Sequence, residues 1–343
     1  MNSIILGRTR ARVSAVSLGT WSYGGENKAG GQAVGWAGQR DDDSRKALIQ
    51  AWENGINHWD TADVYGNGRS ETVIGSVWDT VPREEIFLAT KVGWDKGGYE
   101  YYYHPEMIRK HVEQSLKNLR TETVDLYYLH HCNFGNHGEV LEAAVETLRQ
   151  FRDEGKIRFI GLSDWFSEKI MRFIETVDPD VVQPYRNVMD DTYAASGLKQ
   201  WVEDHRLGVC FFSPLKHGLL TGKYREPQVF PDGDFRQGVA EFQDAALLKK
   251  IRANRSALEK RFSDHPFPVL HGLVDALLTD VPTGCVLLGQ RHPRQVAAAA
   301  SLGSPLTSEE AAWVQSLFRF PNPGDSEEIP PPDAEPDSRR NHS

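Results

Sequence analysis

The stretch DDDSRKALIQAWENGINHWD, residues 41–60, holds one complete helix-to-strand unit. Residues 41–54 place Ala47, Leu48, Ala51 and Trp52 on one helical face, and Gly55 supplies the stop. Residues 56–59 form a short apolar run of the kind buried on both faces of a parallel sheet. The run then ends on a carboxylate, Asp60.

The same unit recurs on both sides. Apolar runs at 13–18, 86–90, 126–129, 159–162, 181–184, 208–212 and 284–288 alternate with helix-like segments. Residues 105–119 align Ile108, Val112, Ser115, Leu116 and Leu119 behind a proline at the first turn. Residues 140–154 align Leu141, Ala144, Val145, Leu148 and Phe151, again stopped by a glycine, Gly155. Eight such strands over about 300 residues predict an α/β chain folded as a (β/α)8 TIM barrel, a single domain over 1–320. A doubly wound sheet competes, but it prefers a GxGxxG turn after its first strand. Here that turn reads GTWSYGG, residues 19–25. Residues 230–262, irregular and then helical, form an insertion after the seventh strand.

The chain has 343 residues, 48 acidic against 39 basic, for a formal charge of −9. That argues against a general nucleic-acid or anionic-membrane binder. Three scattered cysteines make no disulfide framework, and Cys210 and Cys285 read as buried core thiols. With no signal peptide and no apolar run near 20 residues, the expectation is a soluble cytoplasmic protein. The tail, 321–343, holds six of the 18 prolines and six acids against two arginines, a composition that predicts disorder.

In such a barrel the chemistry lies at the C-terminal strand ends. There the sequence places Asp60 and, in the next loop, Tyr65; then Lys91; then His130; then Ser163 and Asp164; then Gln183. Singly, each has an ordinary reading: a turn residue, a surface packer, a solvated charge, a core histidine. Together, four titratable groups close three consecutive strand ends and converge on one spot. A cation such as Lys91, paired to Asp60, lowers a tyrosine's pKa, and His130 can donate to a carbonyl oxygen. The set suits polarising a carbonyl and delivering a proton to it.

The stretch GINHWDTADVYGNGRSE, residues 55–71, resembles the signature of the aldo-keto reductase superfamily. So do LATKVG at 88–93, VDLYYLH at 124–130, GKIRFIGLS at 155–163 and SPLKHGLLTGKY at 213–224. The motifs stand in the family's order, nearest its bacterial general reductases and the related potassium-channel β subunits. The resemblance implies NAD(P)H-dependent reduction of an aldehyde or ketone. Tyr65 matches the general acid, Asp60 and Lys91 its tuning pair, and His130 the group that orients the carbonyl. Ser163 and Gln183 match contacts to the nicotinamide carboxamide. Phe212 stands where a tyrosine usually stacks on the nicotinamide. Ser213, Pro214, Leu215, Gly218 and Lys223 match the pyrophosphate loop, and Arg236 resembles an arginine near the phosphates. Thr20 and Trp21 match the first loop, with Trp21 as a pocket wall.

The pattern is not followed everywhere. Asp164 replaces a common asparagine and, ionised, only accepts hydrogen bonds. After the eighth strand Gly289, Gln290, Arg291 and Gln295 fit an adenine-end contact, but Ala298 and Ala299 replace the usual Glu-Asn pair. Arg291 is the candidate for a 2′-phosphate, which favours NADPH and leaves NADH possible. No metal is expected. HHC at 130–132 points to opposite faces of a strand. The P-loop-like spacing at 218–223 is one residue short, and SxxK at 213–216 lacks its partner motifs. The aromatic run YEYYYH, 99–104, reads equally as rim packing or as a substrate wall. Two rivals remain: a cofactor-binding regulatory or sensor subunit with little turnover, and a sugar or polyol dehydrogenase working in the oxidative direction. The partner is in either case a small carbonyl or alcohol.

Overall fold

The computed structural model describes residues 1–29 and 32–320. The acidic tail, 321–343, and the expectation placed on it lie outside those residues.

Eight parallel strands close a barrel: β1 (Val16–Gly19), β2 (His58–Asp60), β3 (Phe87–Val92), β4 (Val124–Leu129), β5 (Ile157–Asp164), β6 (Val181–Pro184), β7 (Gly208–Phe211) and β8 (Gly284–Gly289). β8 pairs with β1, Leu287 opposite Ser17, and completes the ring. Each strand is followed by at least one helix: α1 (Asp41–Glu53), α2 (Arg69–Gly75), α3 (Pro105–Leu119), α4 (Leu141–Asp153), α5 (Ser167–Val177), α6 (Leu198–His205), α7 (Ala245–Arg261) and α8 (Pro293–Ala300), with α9 (Ser308–Phe318) at the end. Among the described residues no helix is long and apolar enough to cross a membrane.

The helices begin and end where local chemistry dictates. Pro105 opens α3, and the His104 side chain accepts from the Glu106 amide. Thr307 and Glu310 form a reciprocal capping box on α9. The faces read from the sequence are the buried ones: Ile108, Val112, Ser115, Leu116 and Leu119 on α3 all point inward.

The first strand differs from expectation. The run 13–18 is cut by a bend at Ala15. Arg12–Ser14 pairs antiparallel with Ser3–Ile5, and only Val16–Gly19 enters the barrel. Leu6 and Val13, both fully buried, thereby plug the lower end of the barrel against Phe87, Leu126 and Val181. Alternating apolar residues look the same in a plug hairpin as in a barrel strand.

The barrel interior is packed. Gly161 on β5 is bare because a Cβ there would lie 2.2 Å from the Tyr128 ring. The insertion behaves as read: short 3-10 turns, then α7, capped by Asp234 and Asp244 respectively. It also reaches back to the first loop. Phe235 N donates to Gly35 O at 2.9 Å, and Ala37 N donates to Asp234 Oδ2 at 3.0 Å. The two segments close over one edge of the upper mouth.

Candidate active site

A cavity of about 800 Å³ opens at the C-terminal ends of the strands, within the usual range for a small-molecule site. Its floor is a chain of polar contacts. Lys91 Nζ donates to Asp60 Oδ1 at 2.5 Å, to Thr61 O at 2.7 Å and to Tyr65 Oη at 3.4 Å. The second Asp60 oxygen accepts from Gln183 Nε2 at 2.8 Å. His130 packs edge-on to Tyr65, ring centroids 5.8 Å apart, and its Nδ1 has no hydrogen-bond partner among the described residues.

Tyr65 is held by its loop. Gly66 takes a φ of +63°, and a Cβ there would run into the Gly24 carbonyl at 2.3 Å. Trp21 stacks on Tyr65 at 6.1 Å, its indole fixed by a bond to Val34 O. Thr20 is buried below, donating to Asp60 O at 2.8 Å.

Burial decides the protonation states. Burial alone penalises the Lys91 ammonium, but Asp60 and Tyr65 beside it raise its pKa above the ordinary value. Tyr65 runs against the expectation from sequence. Lys91 does pull its pKa down, yet burial outweighs that pull and the hydroxyl is raised. The phenol therefore keeps its proton at neutral pH. Burial, with Lys91 next, pushes His130 well below the usual histidine range, so its ring is neutral.

One further carboxyl supports the floor. Glu71, on α2, accepts from Thr90 Oγ1 at 2.7 Å and from Asn118 Nδ2 at 2.9 Å, tying the Tyr65 loop to β3 and α3. Burial pushes its pKa up to about 7 from 4.5. Between those values the folded chain holds a proton that the unfolded chain releases. Its stability is therefore expected to fall by ~3 kcal/mol as pH rises from 4.5 to 7, and to stay lower above that. Thermal unfolding of wild type and Glu71→Gln across this window checks it: the variant shows the flatter slope.

The other residues marked from sequence mostly share the cavity. Trp21, Ser163, Asp164, Gln183, Phe212, Ser213, Pro214, Leu215, Gly218, Lys223, Arg236, Gly289, Arg291 and Gln295 all line it. Lys91 lies behind Tyr65 rather than on the wall. Gln290 is not on the wall. Its side chain is fully buried, with Nε2 toward Ser17 O and Leu288 O. Asp164 faces the cavity's edge, but its two oxygens accept from the Cys132 and Phe166 amides at 2.8 and 2.9 Å. Arg236 is clamped by Asp234 in two bonds, 2.9 and 2.7 Å, and lies over the Trp36 ring. Arg291 is fixed by Gln39 and Ala37 O at 2.9 and 2.6 Å.

The loop after β7 is strained in a way typical of functional sites. Ser213, Lys216 and His217 all take positive φ, of 57°, 43° and 58°. The aromatic run 99–104 stays off the cavity wall. Tyr103 hydroxyl bonds His131 O at 2.6 Å, and Tyr99 stacks on His104, so rim packing is its role. The wall is built instead by Trp36, Trp94, Trp165, Tyr185 and Phe235, which the sequence reading passed over. Trp165 and Tyr185 stand one residue beyond the ends of β5 and β6, so strand-end counting carried one step further finds them.

A cavity with a neutral phenol and imidazole on its floor, a flat aromatic residue (Phe212) and a cationic rim (Lys223, Arg236, Arg291) fits an elongated cofactor with an aromatic head and phosphates. The comparisons agree. The Aldo/keto reductase family profile matches residues 15–317. The aldo-keto reductase YhdN of Bacillus subtilis (strain 168) is 28% identical over 314 residues, 90% of this chain and 91% of its own. An NADH-specific methylglyoxal reductase of Escherichia coli (strain K12) is 31% identical over 264 residues, 73% and 78% of the two chains. The structure of a glycerol dehydrogenase from Gluconobacter oxydans superposes with a TM-score of 0.77 at 30% identity, covering 94% of this chain and 98% of its own.

Proposed function

The chain belongs to the aldo/keto reductase family, and from that premise we propose that it reduces a small aldehyde or ketone to the alcohol, NADPH-dependent by preference, with Tyr65 as proton donor. One observation carries this reading: Lys91 Nζ sits between Asp60 Oδ1 at 2.5 Å and Tyr65 Oη at 3.4 Å, just behind the floor of an aromatic cavity.

When bound, the nicotinamide cofactor supplies the hydride. The residues of this chain do the rest. Phe212 offers a ring face, and Ser163 and Gln183 offer polar groups beside it. Gln183 Nε2 donates to Asp60 Oδ2 at 2.8 Å, which fixes the side chain. Lys223, Arg236 and Arg291 offset phosphate charge. The neutral His130 ring donates to the carbonyl oxygen and polarises it. As negative charge grows on that oxygen, Tyr65 gives up its proton, and the Lys91 ammonium stabilises the phenolate left behind. Trp21, Trp36, Trp94 and Trp165 keep water away and favour a substrate with an apolar or ring face.

The test follows NADPH and NADH absorbance with a panel of small aldehydes and ketones. Alcohols and polyols with the oxidised cofactors are run in parallel, since one structural relative is a glycerol dehydrogenase. Turnover on the carbonyl arm supports the reading. Tight cofactor binding with no turnover in either direction overturns it in favour of a sensor role.

Cofactor choice gives a separate prediction. Among the described residues the hydrogen-bond acceptors of Arg291 are neutral, Gln39 Oε1 and Ala37 O, so no carboxylate pairs directly with it and its charge is available to a 2′-phosphate. Arg291→Ala is expected to raise KM for NADPH about tenfold and leave KM for NADH within twofold, the loss of one charge-assisted contact. Equal effects on both cofactors would show that Arg291 acts elsewhere.

A further inference from the structure

Below Asp60 the barrel interior changes character. Such interiors are filled mainly by branched aliphatic residues, and Leu6, Val13, Phe87, Leu126 and Val181 keep to apolar filling here. On four consecutive strands across the closing seam, however, the inward residues are Cys210 (β7), Cys285 (β8), Ser17 (β1) and His58 (β2). All four are fully buried. Cys210 and Cys285 stand directly opposite each other on β7 and β8. Cys285 Sγ lies 3.5 Å from His58 Nδ1, and Ser17 Oγ lies 2.8 Å from the same nitrogen. One ligand atom from each of His58, Cys210 and Cys285 falls within 4.8 Å of the others. His58 Nε2 has no partner among the described residues, so the ring's polar contacts all lie on the sulfur side.

We propose that Cys210, Cys285 and His58 form a structural site for one divalent thiophilic ion of the zinc class, with the Ser17 hydroxyl beside them. Charge selects the ion. Two thiolates and a neutral imidazole around a dication sum to zero, as a water-free interior requires. A monovalent soft ion leaves a buried net charge, and a hard dication prefers oxygen ligands. Distance agrees. Tetrahedral bonds of about 2.3 Å to sulfur and 2.0 Å to nitrogen put sulfur and nitrogen about 3.5 Å apart, which is the Cys285–His58 separation. Two sulfurs on such an ion stand about 3.8 Å apart, so no ligand atom moves by more than about 1 Å.

The site has a structural consequence. Its ligands come from the second, seventh and eighth strands, so an ion ties the two ends of the barrel together across the seam. It shares no residue with the catalytic floor above it. Being closed to solvent, it loads while the barrel forms and exchanges slowly once it has formed.

The experiment produces the full chain with added zinc under reducing conditions, washes the folded protein with chelator, and measures zinc after unfolding. The expected result is about one ion per chain in wild type and in Cys132→Ser. A drop of at least tenfold is expected in Cys210→Ser/Cys285→Ser. Wild type refolded with zinc unfolds about 5 °C or more above wild type refolded with chelator, and the double variant shows no such rise. A second measurement needs no variant. Wild type refolded with Co²⁺ shows thiolate-to-cobalt charge-transfer absorption. Less than about a tenth of an ion per chain in folded wild type, unchanged zinc in the double variant, a Cys210–Cys285 disulfide under reducing isolation, or no cobalt–thiolate band overturns the proposal.

Discussion

Replacing Tyr65 by phenylalanine is expected to lower kcat for carbonyl reduction by about a thousandfold while cofactor affinity stays within twofold of wild type. The substitution removes one oxygen and keeps the ring that packs under Trp21 and beside His130. Folding and the aromatic wall are therefore preserved, and the loss falls on the proton alone. Water or His130 remains to donate, which is why the residual rate is not zero. The pH profile sharpens the assignment. Burial raises the Tyr65 pKa above its usual value, near 10, so reduction by wild type holds steady through neutral pH and falls only in strongly alkaline solution. The variant has no such alkaline limb. Steady-state rates, fluorescence titration with NADPH and a pH series on both proteins check this. If Tyr65→Phe keeps wild-type turnover, the mechanism is wrong.

The barrel was legible because strands buried on both faces are short, continuous apolar runs, and because glycines at 55 and 155 stop the intervening helices. The floor of the site was legible for the same reason. Once strand ends are located, the titratable residues that follow them must point into one mouth. What escaped depends on distances that spacing does not carry. Arg236 finds its carboxylate two residues away in Asp234, which leaves less of its charge for a phosphate than a bare count of cations suggests. Gln290 turns into the barrel, while Arg291 next to it reaches the rim. Cys210 and Cys285 are the core thiols that their apolar runs indicate, but 75 residues of sequence hide that they face each other and His58. The sign of the Tyr65 shift escaped too. A cation beside a phenol lowers its pKa in any sequence, and only the depth of burial shows that desolvation is the larger effect.

Net charge is a comparable case. The tail's six acids and two arginines account for four of the nine negative charges. The remainder is spread over the barrel, while Lys223, Arg236 and Arg291 gather on one cavity wall. A protein's total charge governs its long-range field, and a local cluster governs what binds there.

The largest effect on stability is expected at Asp60. Its carboxylate and the Lys91 ammonium are each about 1% exposed, and among the described residues Thr61 O is the only other acceptor of comparable closeness to Nζ. Asp60→Ala removes the counter-charge and also strands Gln183 Nε2. Removing one partner of a buried pair costs about 3–5 kcal/mol, because the other charge stays behind without its water. For a chain of this size that lowers Tm by about 5 °C. Burial then pulls the Lys91 pKa down, and the ammonium tends to lose its proton. The double variant Asp60→Ala/Lys91→Met separates folding from chemistry. With no charge left to strand, most of the lost stability is expected to return. The phenolate, however, has no cation, so kcat stays down by at least a hundredfold. Thermal unfolding and turnover on the two variants give opposite answers if the pair works as described. A double variant as unstable as the single one would mean that Asp60 stabilises the fold through Gln183 rather than through Lys91. Recovery of activity along with stability would remove Lys91 from the mechanism.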